Sequence, residues 1–457
     1  MNTTMISSAW KNSKNRFLST TLLVAICGAA TALYLTAAPK DDTGFVAHEW
    51  GTFTSLQGGD GQPLQWLPNE TAELPKFVYD WQKPGNDRVS TFGSGIKSMF
   101  MARQRMETPV IYFYANKTQD VDVTVKFPRG HITEWFPQAR TIGPSRKAND
   151  LPIASMIARP AAATHVALSM QPGIQTSRNT NDAVSDSLIR WTAEIIPSFK
   201  KGVAELMPFE KSSSHYFAAR ETDAAFVRVS ASNSAEVEKF LFYRGVGNFT
   251  TPLKVTATND AVTIANTGKE PLRHLFLLKV HEGAGKFIYV DKLEAHEQKS
   301  ISIDNQSEMS PIGKISSSIA AKMEKSLESE HLYQREAAAM VKTWDKSWFE
   351  EEGLRVFYVL PRNWTDQTLP LALQPAPRDL VRVMVGRAEI ISPSLEKQLV
   401  QQLTKAKQGD TAARKEAHDS LKRYGRFADP IFYHAAGKIS TNVAGMNLSK
   451  LHLQKLP

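Results

Sequence analysis

Cysteine is almost absent from this chain of 457 residues, because Cys27 is the only one. The sequence after residue 40 therefore has no disulfide, no thiolate zinc site, no iron–sulfur cluster and no thiol nucleophile. Its stability must come from a hydrophobic core, and its length is sufficient for two or three domains. Any metal bound there would need His, Asp or Glu ligands, and the sequence names no cofactor.

Motifs that identify a reaction are also missing. There is no G-x-S-x-G sequence, and therefore no nucleophile elbow. The segment 283–286 ends in Gly-Lys but lacks the other parts of a phosphate-binding loop. His-Glu pairs occur at 48–49, 281–282 and 296–297, but none has a second His three residues beyond the Glu. The helical zinc motif of metalloproteases is therefore excluded.

The first 40 residues carry a targeting signal. Three basic residues precede the uncharged stretch 17–38, a pattern that directs a chain into or across a membrane with its basic end inside. The stretch is long enough for the roughly 20 residues that span a bilayer. It is either a retained anchor or, because Ala30–Ala32 fits an A-x-A cleavage site, a cleaved signal peptide. A lipoprotein attached at Cys27 is a third interpretation.

The net charge of +9 is unevenly distributed. Residues 1–40 hold four basic and no acidic residues, and residues 393–457 hold 11 basic and five acidic ones. The intervening residues are close to neutral. The basic C-terminal region could contact anionic lipid, an acidic polymer or an acidic partner, or it could be a solvated helical surface.

The hydrophobic periodicity predicts an α+β protein that is β-rich and sandwich-like in its N-terminal and central regions and helical at its C-terminus. Val121–Phe127 alternates between apolar and polar residues, as a half-buried strand does, whereas Tyr333–Trp348 has helical spacing. The predicted organisation is an N-terminal anchor or signal peptide (1–40), a β-rich domain (41–144), a mobile insertion or linker (145–186), a β-sandwich-like domain (187–304), a mixed helix–strand region (305–392) and a basic helical region (393–457).

Two segments resemble known structural units. Val262–Gly268, followed by Leu275–Leu278, resembles the strand–turn–strand pattern of bacterial immunoglobulin-like modules, which implies a sandwich fold and no particular function. The segment 412–430 resembles one unit of a HEAT-type helical repeat. Because repeat arrays need about three units, we expect a single HEAT-like appendage.

Three strings are similar to segments of uncharacterised exported bacterial proteins. They are His48–Thr54 (HEWGTFT), Met106–Val110 (METPV) and Ser347–Gly353 (SWFEEEG). No activity is assigned to those proteins. The resemblance would cover most of the exported chain, but it transfers no catalytic role.

The HEWGTFT string is the first candidate site. A histidine beside a glutamate can be a base or a metal ligand. If the string is a strand, His48 and Glu49 point to opposite faces and cannot serve one site unless Gly51 bends the chain. The alternative is a buried Trp50 whose polar neighbours satisfy a turn.

The second and third candidates contain carboxylates near tryptophans. His131 and Glu134 would share a face of a helix but not of a strand, and the flanking sequence favours a strand or turn. Glu134 beside Trp135 suits contact with a sugar or a cation. The adjacent carboxylates 350–352 oppose the helix dipole at a predicted helix C-terminus. Ligand or metal binding, or an ion pair to Arg355, would explain them.

We predict an exported or membrane-anchored binding or scaffolding protein of the cell envelope, facing the periplasm or released into it. The alternative is a carboxylate- or metal-dependent hydrolase of envelope glycan or peptide. The expected partners are the membrane, through 17–38 if it is not cleaved, and an envelope polymer or protein, but not nucleic acid. The candidate residues are Glu49, Glu134 and Glu352 for catalysis, Trp50, Trp135, Trp348 and Arg355 for ligand contact, and His48 and His131 for a metal.

Overall fold

The computed structural model describes residues 44–66, 74–80, 102–143, 186–230, 234–303 and 309–439. The predicted N-terminal segment 1–40 and the predicted linker 145–186 lie outside these ranges, apart from Asp186. Within them, no helix combines the length and the apolar character that crossing a bilayer requires. Strands are the main regular structure and most helices lie near the C-terminus, so the predicted α+β, β-rich class is confirmed.

The described residues contain strands of two to thirteen residues, three short 3-10 helices and six α-helices. The strands, in chain order, are β1 (Val46–Gly58), β2 (Tyr79–Asp80), β3 (Gln104–Tyr114), β4 (Gln119–Phe127), β5 (Gly130–Phe136), β6 (Thr141–Gly143), β7 (Ser187–Ile196), β8 (Phe226–Ser230), β9 (Ala235–Glu238), β10 (Leu241–Gly247), β11 (Leu253–Ala257), β12 (Ala261–Asn266), β13 (Leu272–His281), β14 (Ala284–Leu293), β15 (Gln298–Ser302), β16 (Ser310–Pro311), β17 (Gly353–Val359), β18 (Leu371–Gln374) and β19 (Asp379–Ile391). The helices are α1 (Ile312–Ser329), α2 (Gln334–Phe349), α3 (Arg362–Thr368), α4 (Pro393–Lys407), α5 (Thr411–Lys422) and α6 (Ala428–Ile439), with 3-10 helices at Ala204–Leu206, His215–Arg220 and Gly425–Phe427.

One sheet of ten described strands, in the order β16-β14-β13-β17-β19-β1-β3-β10-β5-β2, forms the centre of the fold. Strand β1 pairs with β19 in parallel and with β3 in the antiparallel direction. It is buried along its whole length, so it needs neighbours on both edges and cover on both faces. Those neighbours come from far along the chain. The predicted boundaries at 144, 187 and 304 are therefore corrected, because the segments they separate share one sheet.

Two smaller sheets pack on one face of the central sheet. They have the strand orders β18-β4-β7-β8-β9, with β6 beside β7, and β11-β12-β15. Alternate residues of β4, such as Val121 and Val123, join a core cluster with Ile111 of the central sheet, which is sheet-on-sheet packing. The immunoglobulin-like pattern is not a hairpin, since β12 pairs with β11 and β15 while β13 pairs with β14 and β17.

Helices cover the opposite face. We call this the helix face, and it carries Trp50, Val110 and Phe357, which share a core cluster with Met340 and Trp348 of α2. The other is the sheet face, which carries Ala47, Ile111 and Val356.

The C-terminal helices α4, α5 and α6 pack on Leu56 and Ile391, at the ends of β1 and β19. They are separated at residues 408–410 and by the 3-10 helix Gly425–Phe427. Gly409 adopts a positive φ of 99°, and the Asp410 side chain caps α5 by accepting a hydrogen bond from the Ala413 amide.

Candidate functional site

His48 and Glu49 of the HEWGTFT string point to opposite faces of the sheet, because successive side chains of a strand alternate between its faces. On the helix face, His48 Nδ1 lies 2.7 Å from a carboxylate oxygen of Glu336, and the Tyr114 hydroxyl donates to the other oxygen at 2.7 Å. On the sheet face, Glu49 accepts hydrogen bonds from Tyr243 and Arg382, both at 2.6 Å. His48 and Glu49 therefore do not form one site.

The network around Glu49 is complete. Arg382 donates through Nε to Glu49, through Nη1 to Asp366 at 2.6 Å and through Nη2 to the Leu369 carbonyl at 2.7 Å. Burial alone would lower the pKa of Arg382, but the charge of Glu49 raises it well above its ordinary value. Each guanidinium nitrogen of Arg382 and both carboxylate oxygens of Glu49 make a hydrogen bond, so the fold alone explains this network.

A β-bulge lies next to it on β3, where Thr108 and Pro109 stand opposite the single residue Gly51 of β1. The register with β3 shifts between Trp50 and Thr52, so that Thr52 comes opposite Glu107. A Cβ atom on Gly51 would lie 2.9 Å from Pro109 Cα, which is closer than side chains approach backbone atoms. Thr108 has a φ of 48°, a conformation that is rare for a β-branched residue and costs on the order of 1–3 kcal/mol. The HEWGTFT and METPV strings therefore meet at this bulge, where the backbone of Thr108 is strained.

Charged side chains extend across the helix face from this bulge. The strands β5, β10, β3, β19 and β17 contribute to one row, which the turn after α2 and the 3-10 helix Gly425–Phe427 cover. We call it the arginine–glutamate cluster, and its members are Arg105, Glu107, Glu134, Arg244, Glu351, Arg355, Arg387, Glu389 and Arg426.

In the half of the cluster on β17 and β19 both arginines are paired with carboxylates, and Arg387 Nη1 is left without a hydrogen-bond partner among the described residues. Arg387 donates to Glu389 at 2.6 Å and to Glu351 at 2.7 Å. Arg355 lies 2.9 Å from Glu389 and donates to the carbonyls of Trp348, Glu351 and Glu352 at 2.8–3.0 Å. It therefore satisfies carbonyls that the end of α2 leaves open.

This pairing explains the carboxylates of SWFEEEG. Burial by itself would raise the pKa of Glu351, but Arg387 and its neighbours lower it. Glu352 accepts from the Glu282 amide at 2.9 Å and pairs with His281 at 2.7 Å. Arg355 is committed to backbone carbonyls and Glu389, which corrects its predicted role in ligand contact.

The other half of the cluster is incompletely paired. We call Arg105, Arg244 and Arg426 the guanidinium cluster. Arg426 Nη1 donates to Glu107 at 2.6 Å, whereas Arg105 Nε is 3.7 Å from Glu107, too far for a hydrogen bond. Arg244 Nη2 lies 3.2 Å from His215 Nε2. Among the described residues, no partner accepts from Arg105 Nε, from Nε and Nη1 of Arg244, or from Nε and Nη2 of Arg426.

The electrostatics of this half are positive. Burial, with the charges of Arg244 and Arg426, lowers the pKa of Arg105 to about 9 against the opposing effect of Glu107. Burial, followed by the charge of Arg244, lowers the pKa of His215 to about 3, so His215 is neutral at pH 7. Burial would raise the pKa of Glu107, but Arg426 and Arg105 hold it at about 2.

Hydroxyl groups of β1 face the same row. Thr52 and Thr54 follow Trp50 at the spacing of two that keeps them on the helix face, and Thr54 lies opposite both Arg105 and Arg387. Both hydroxyls are buried, and neither has a hydrogen-bond partner within the part of the chain that the structure describes. Strands β1, β3 and β10 and the 3-10 helix Gly425–Phe427 therefore bring unused donors to one place, which suits a ligand with negatively charged oxygen atoms.

The predicted catalytic carboxylates do not converge. Glu49 is on the sheet face, Glu134 is on the helix face opposite Arg244, and Glu352 is at the end of α2. Of the three, only Glu134 belongs to the arginine–glutamate cluster.

The predicted metal ligands and aromatic walls are also separated. His48 and His131 lie on strands three places apart, which is about 14 Å across the sheet. No group of three or more His, Asp or Glu in the described ranges is arranged to hold a metal ion. Trp50, Trp135 and Trp348 are fully buried core residues, with Trp135 on the sheet face and the other two on the helix face. These placements correct the predicted metal site and the predicted stacking walls.

The comparisons with known proteins leave the family open. No family model and no curated protein matches the chain. Among solved structures, one match is the mu-homology domain of yeast delta-COP-I in complex with a Dsl1 WxWxV peptide, with a TM-score of 0.25 and 7% identity over 77% of this chain and 99% of that one. The same domain without the peptide matches with a TM-score of 0.25 and 7% identity, covering 78% of this chain and 100% of that one. Likeness at this level carries no argument about fold or function.

Proposed function

We propose that this chain is an exported binding protein of the cell envelope, anchored in the inner membrane or released into the periplasm, and that its ligand binds on the helix face beside the bulge between β1 and β3. The observation that carries the proposal is the set of buried polar groups on Arg105, Arg244, Thr52 and Thr54 that have no hydrogen-bond partner in the part of the chain that the structure describes. A buried donor without a partner costs about 1–3 kcal/mol, so folding alone gives no reason to collect several in one place. A bound ligand supplies that reason.

The location of the three strings that resemble exported proteins supports the same site. HEWGTFT and METPV are adjacent strands, and the SWFEEEG turn reaches them through the ion pair of Glu351 with Arg387, which lies opposite Thr54. Segments that are far apart in sequence therefore surround one buried polar region. This arrangement favours a shared role for them in binding.

The hydrolase alternative has less support. Its candidate carboxylates are distributed over both faces of the sheet, as described above. Glu107, the carboxylate beside the unused guanidinium groups, has a pKa of about 2 and stays ionised at neutral pH, so it has no proton to donate.

The proposal is tested by recovering the ligand. The full chain would be produced with its N-terminal segment, purified from the envelope fraction and denatured, and the released compounds would be identified by mass spectrometry. We expect one compound in near-stoichiometric amount from the wild type and much less from the double variant Thr52→Val with Thr54→Val. An Arg228→Gln variant, which changes an exposed ion pair with Glu194, is the matched control. Recovery of the protein in the cytoplasmic fraction would contradict the proposal. The absence of a retained compound in the wild type and in every variant would contradict it as well.

A further inference from the structure

We propose that the group bound at this site is a tetrahedral oxyanion, a phosphoryl or sulfuryl group, held by the guanidinium cluster and by the hydroxyls of Thr52 and Thr54. The inference rests on the proposed function for the location of the site, and it adds the chemical class of the ligand. Three arguments support it: the balance of charge, the directions of the unused donors, and the state of His215.

The balance of charge is positive. Within the described ranges, Arg105, Arg244 and Arg426 face two carboxylates in this half of the cluster, Glu107 and Glu134. Glu107 is already engaged by Arg426 at 2.6 Å, and Glu134 accepts from the Thr133 hydroxyl. One positive charge is therefore left over in a buried region, where an unpaired charge costs several kcal/mol. A neutral sugar or peptide would leave that charge in place, a cation would add to it, and an anion removes it.

The unused donors come from several directions. They lie on the central strand β1, on β3 to one side of it, on β10 one strand further, and on the 3-10 helix that covers the row. A planar carboxylate is satisfied in its own plane by one forked arginine. A tetrahedral oxyanion presents several oxygens pointing apart, so it can accept from three guanidinium groups and two hydroxyls together.

His215 positions one of these arginines without changing the charge. Its Nε2 lies 3.2 Å from Arg244 Nη2, and its ring packs against the indole of Trp344 with centroids 4.7 Å apart. Because burial and Arg244 keep its pKa at about 3, the imidazole is neutral and accepts from Arg244. Arg244 is thereby fixed through one nitrogen, while its Nε and Nη1 stay available.

The first arm of the test measures binding to the full chain in detergent solution. The probes are sodium phosphate, sulfate, acetate and chloride at matched ionic strength, with thermal unfolding and isothermal titration calorimetry as readouts. We expect phosphate or sulfate to raise the Tm in a saturable way, and acetate and chloride to have much smaller effects. Glycerol 3-phosphate separates the two sources of a phosphoryl group. Tighter binding than inorganic phosphate indicates an ester on a larger molecule, and weaker binding indicates the free ion.

The second arm uses variants. Arg105→Gln and Arg244→Gln should each weaken the binding of phosphate or sulfate by about tenfold or more, because each removes charge-assisted hydrogen bonds. Arg228→Gln, on the surface of the six-stranded sheet, should leave it unchanged. If the cluster variants do not fold, the isosteric pair Thr52→Val with Thr54→Val replaces them. That pair should bind the oxyanion about fivefold or more weakly while the ligand-free protein keeps or raises its Tm.

Two results would overturn the inference. One is the absence of a saturable shift with phosphate, sulfate and glycerol 3-phosphate while the purified protein releases a neutral compound on denaturation. In that case the binding function stands and only the class of ligand is wrong. The other is equal oxyanion affinity in the wild type, the arginine variants and the threonine pair, which would place the anion elsewhere. If the protein retains no compound and responds to no anion, the proposed function fails as well.

Discussion

Arg382 and Arg244 are two buried arginines on opposite faces of the same sheet, and their hydrogen bonding differs sharply. Arg382, on the sheet face, uses Nε, Nη1 and Nη2 on Glu49, Asp366 and a backbone carbonyl. Among the described residues, Arg244 on the helix face has a hydrogen-bond partner only for Nη2, a neutral histidine. A complete network stabilises the fold by itself, whereas an incomplete one in an equally dry place indicates a missing partner. Burial alone does not distinguish Arg382 from Arg244, because both are buried. Their hydrogen-bond partners distinguish them.

The largest expected effect comes from breaking the complete network. In Glu49→Gln the side chain keeps its shape but faces Arg382 without a charge, and we expect the free energy of unfolding to fall by about 3–5 kcal/mol. Urea unfolding followed by tryptophan fluorescence measures it. Glu194→Gln removes a partly exposed ion pair with Arg228 and should cost less than about 1 kcal/mol. Similar losses in the two variants would contradict the contrast between buried and exposed pairs.

The next effect is a pH dependence that arises on the helix face. The pKa of Glu107 falls from 4.5 to about 2 on folding, so its ionised form contributes stability above pH 4.5 that is lost as the pH falls toward 2. The contribution at pH 7 is on the order of 3 kcal/mol. Glu107→Gln should therefore flatten the dependence of Tm on pH between 5 and 2, measured by calorimetry. An unchanged slope in the variant would show that the stability does not depend on this carboxylate.

A smaller effect is expected at the bulge between β1 and β3, which lies between the Glu49 network and the guanidinium cluster. The new methyl group of Gly51→Ala would lie 2.9 Å from Pro109 Cα and 3.0 Å from Met384 Sδ, and the displacement should cost about 1–3 kcal/mol. Gly437→Ala is the matched control. Its Cβ meets no atom within 4 Å, and in the helix α6 it should stabilise by up to about 1 kcal/mol. Thermal unfolding of both variants gives the comparison, and equal Tm values would argue against a tight bulge.

The smallest effect has the opposite sign. Thr52→Val together with Thr54→Val removes two unpartnered hydroxyls from the ligand-free protein, and we expect a gain of up to about 1 kcal/mol. Thr343→Val removes a buried hydroxyl that donates to the Ala339 carbonyl at 2.7 Å, and it should lose about 1 kcal/mol. Urea unfolding without added anions distinguishes the two. A loss in the double variant would mean that these hydroxyls already have partners.

The local parts of this fold could be predicted from the sequence. The alternation of side chains along a strand predicts which face of the sheet each residue of β1 points to. The apolar segments of the sequence indicate where β19 lies and where α2 ends. The order of the strands could not be predicted, because β1 pairs with β19 through contacts between residues more than 300 positions apart. Strand pairing of that kind depends on packing over both faces and leaves no local pattern.

The candidate site was missed for the same reason. Arg105, Arg244 and Arg426 come from three separate stretches of sequence, and each alone resembles an ordinary charged residue. The one available signal was a charge inside an apolar strand, as in Leu241–Gly247, where Arg244 follows three large apolar or aromatic residues. The predicted site residues, in contrast, were chosen for being adjacent in sequence, and adjacency in a strand places side chains on opposite faces.

The pairing of β1 with β19 also determines when this chain can fold. The central strand is made early in synthesis, but its parallel neighbour begins only at Asp379. Until then β1 lacks one edge partner, and its buried side chains have no complete core to join. Contacts of such long sequence separation make folding slow and leave apolar strands exposed to aggregation. If the chain is exported from its N-terminus, as proposed, most of it must cross the membrane before β1 can pair with β19.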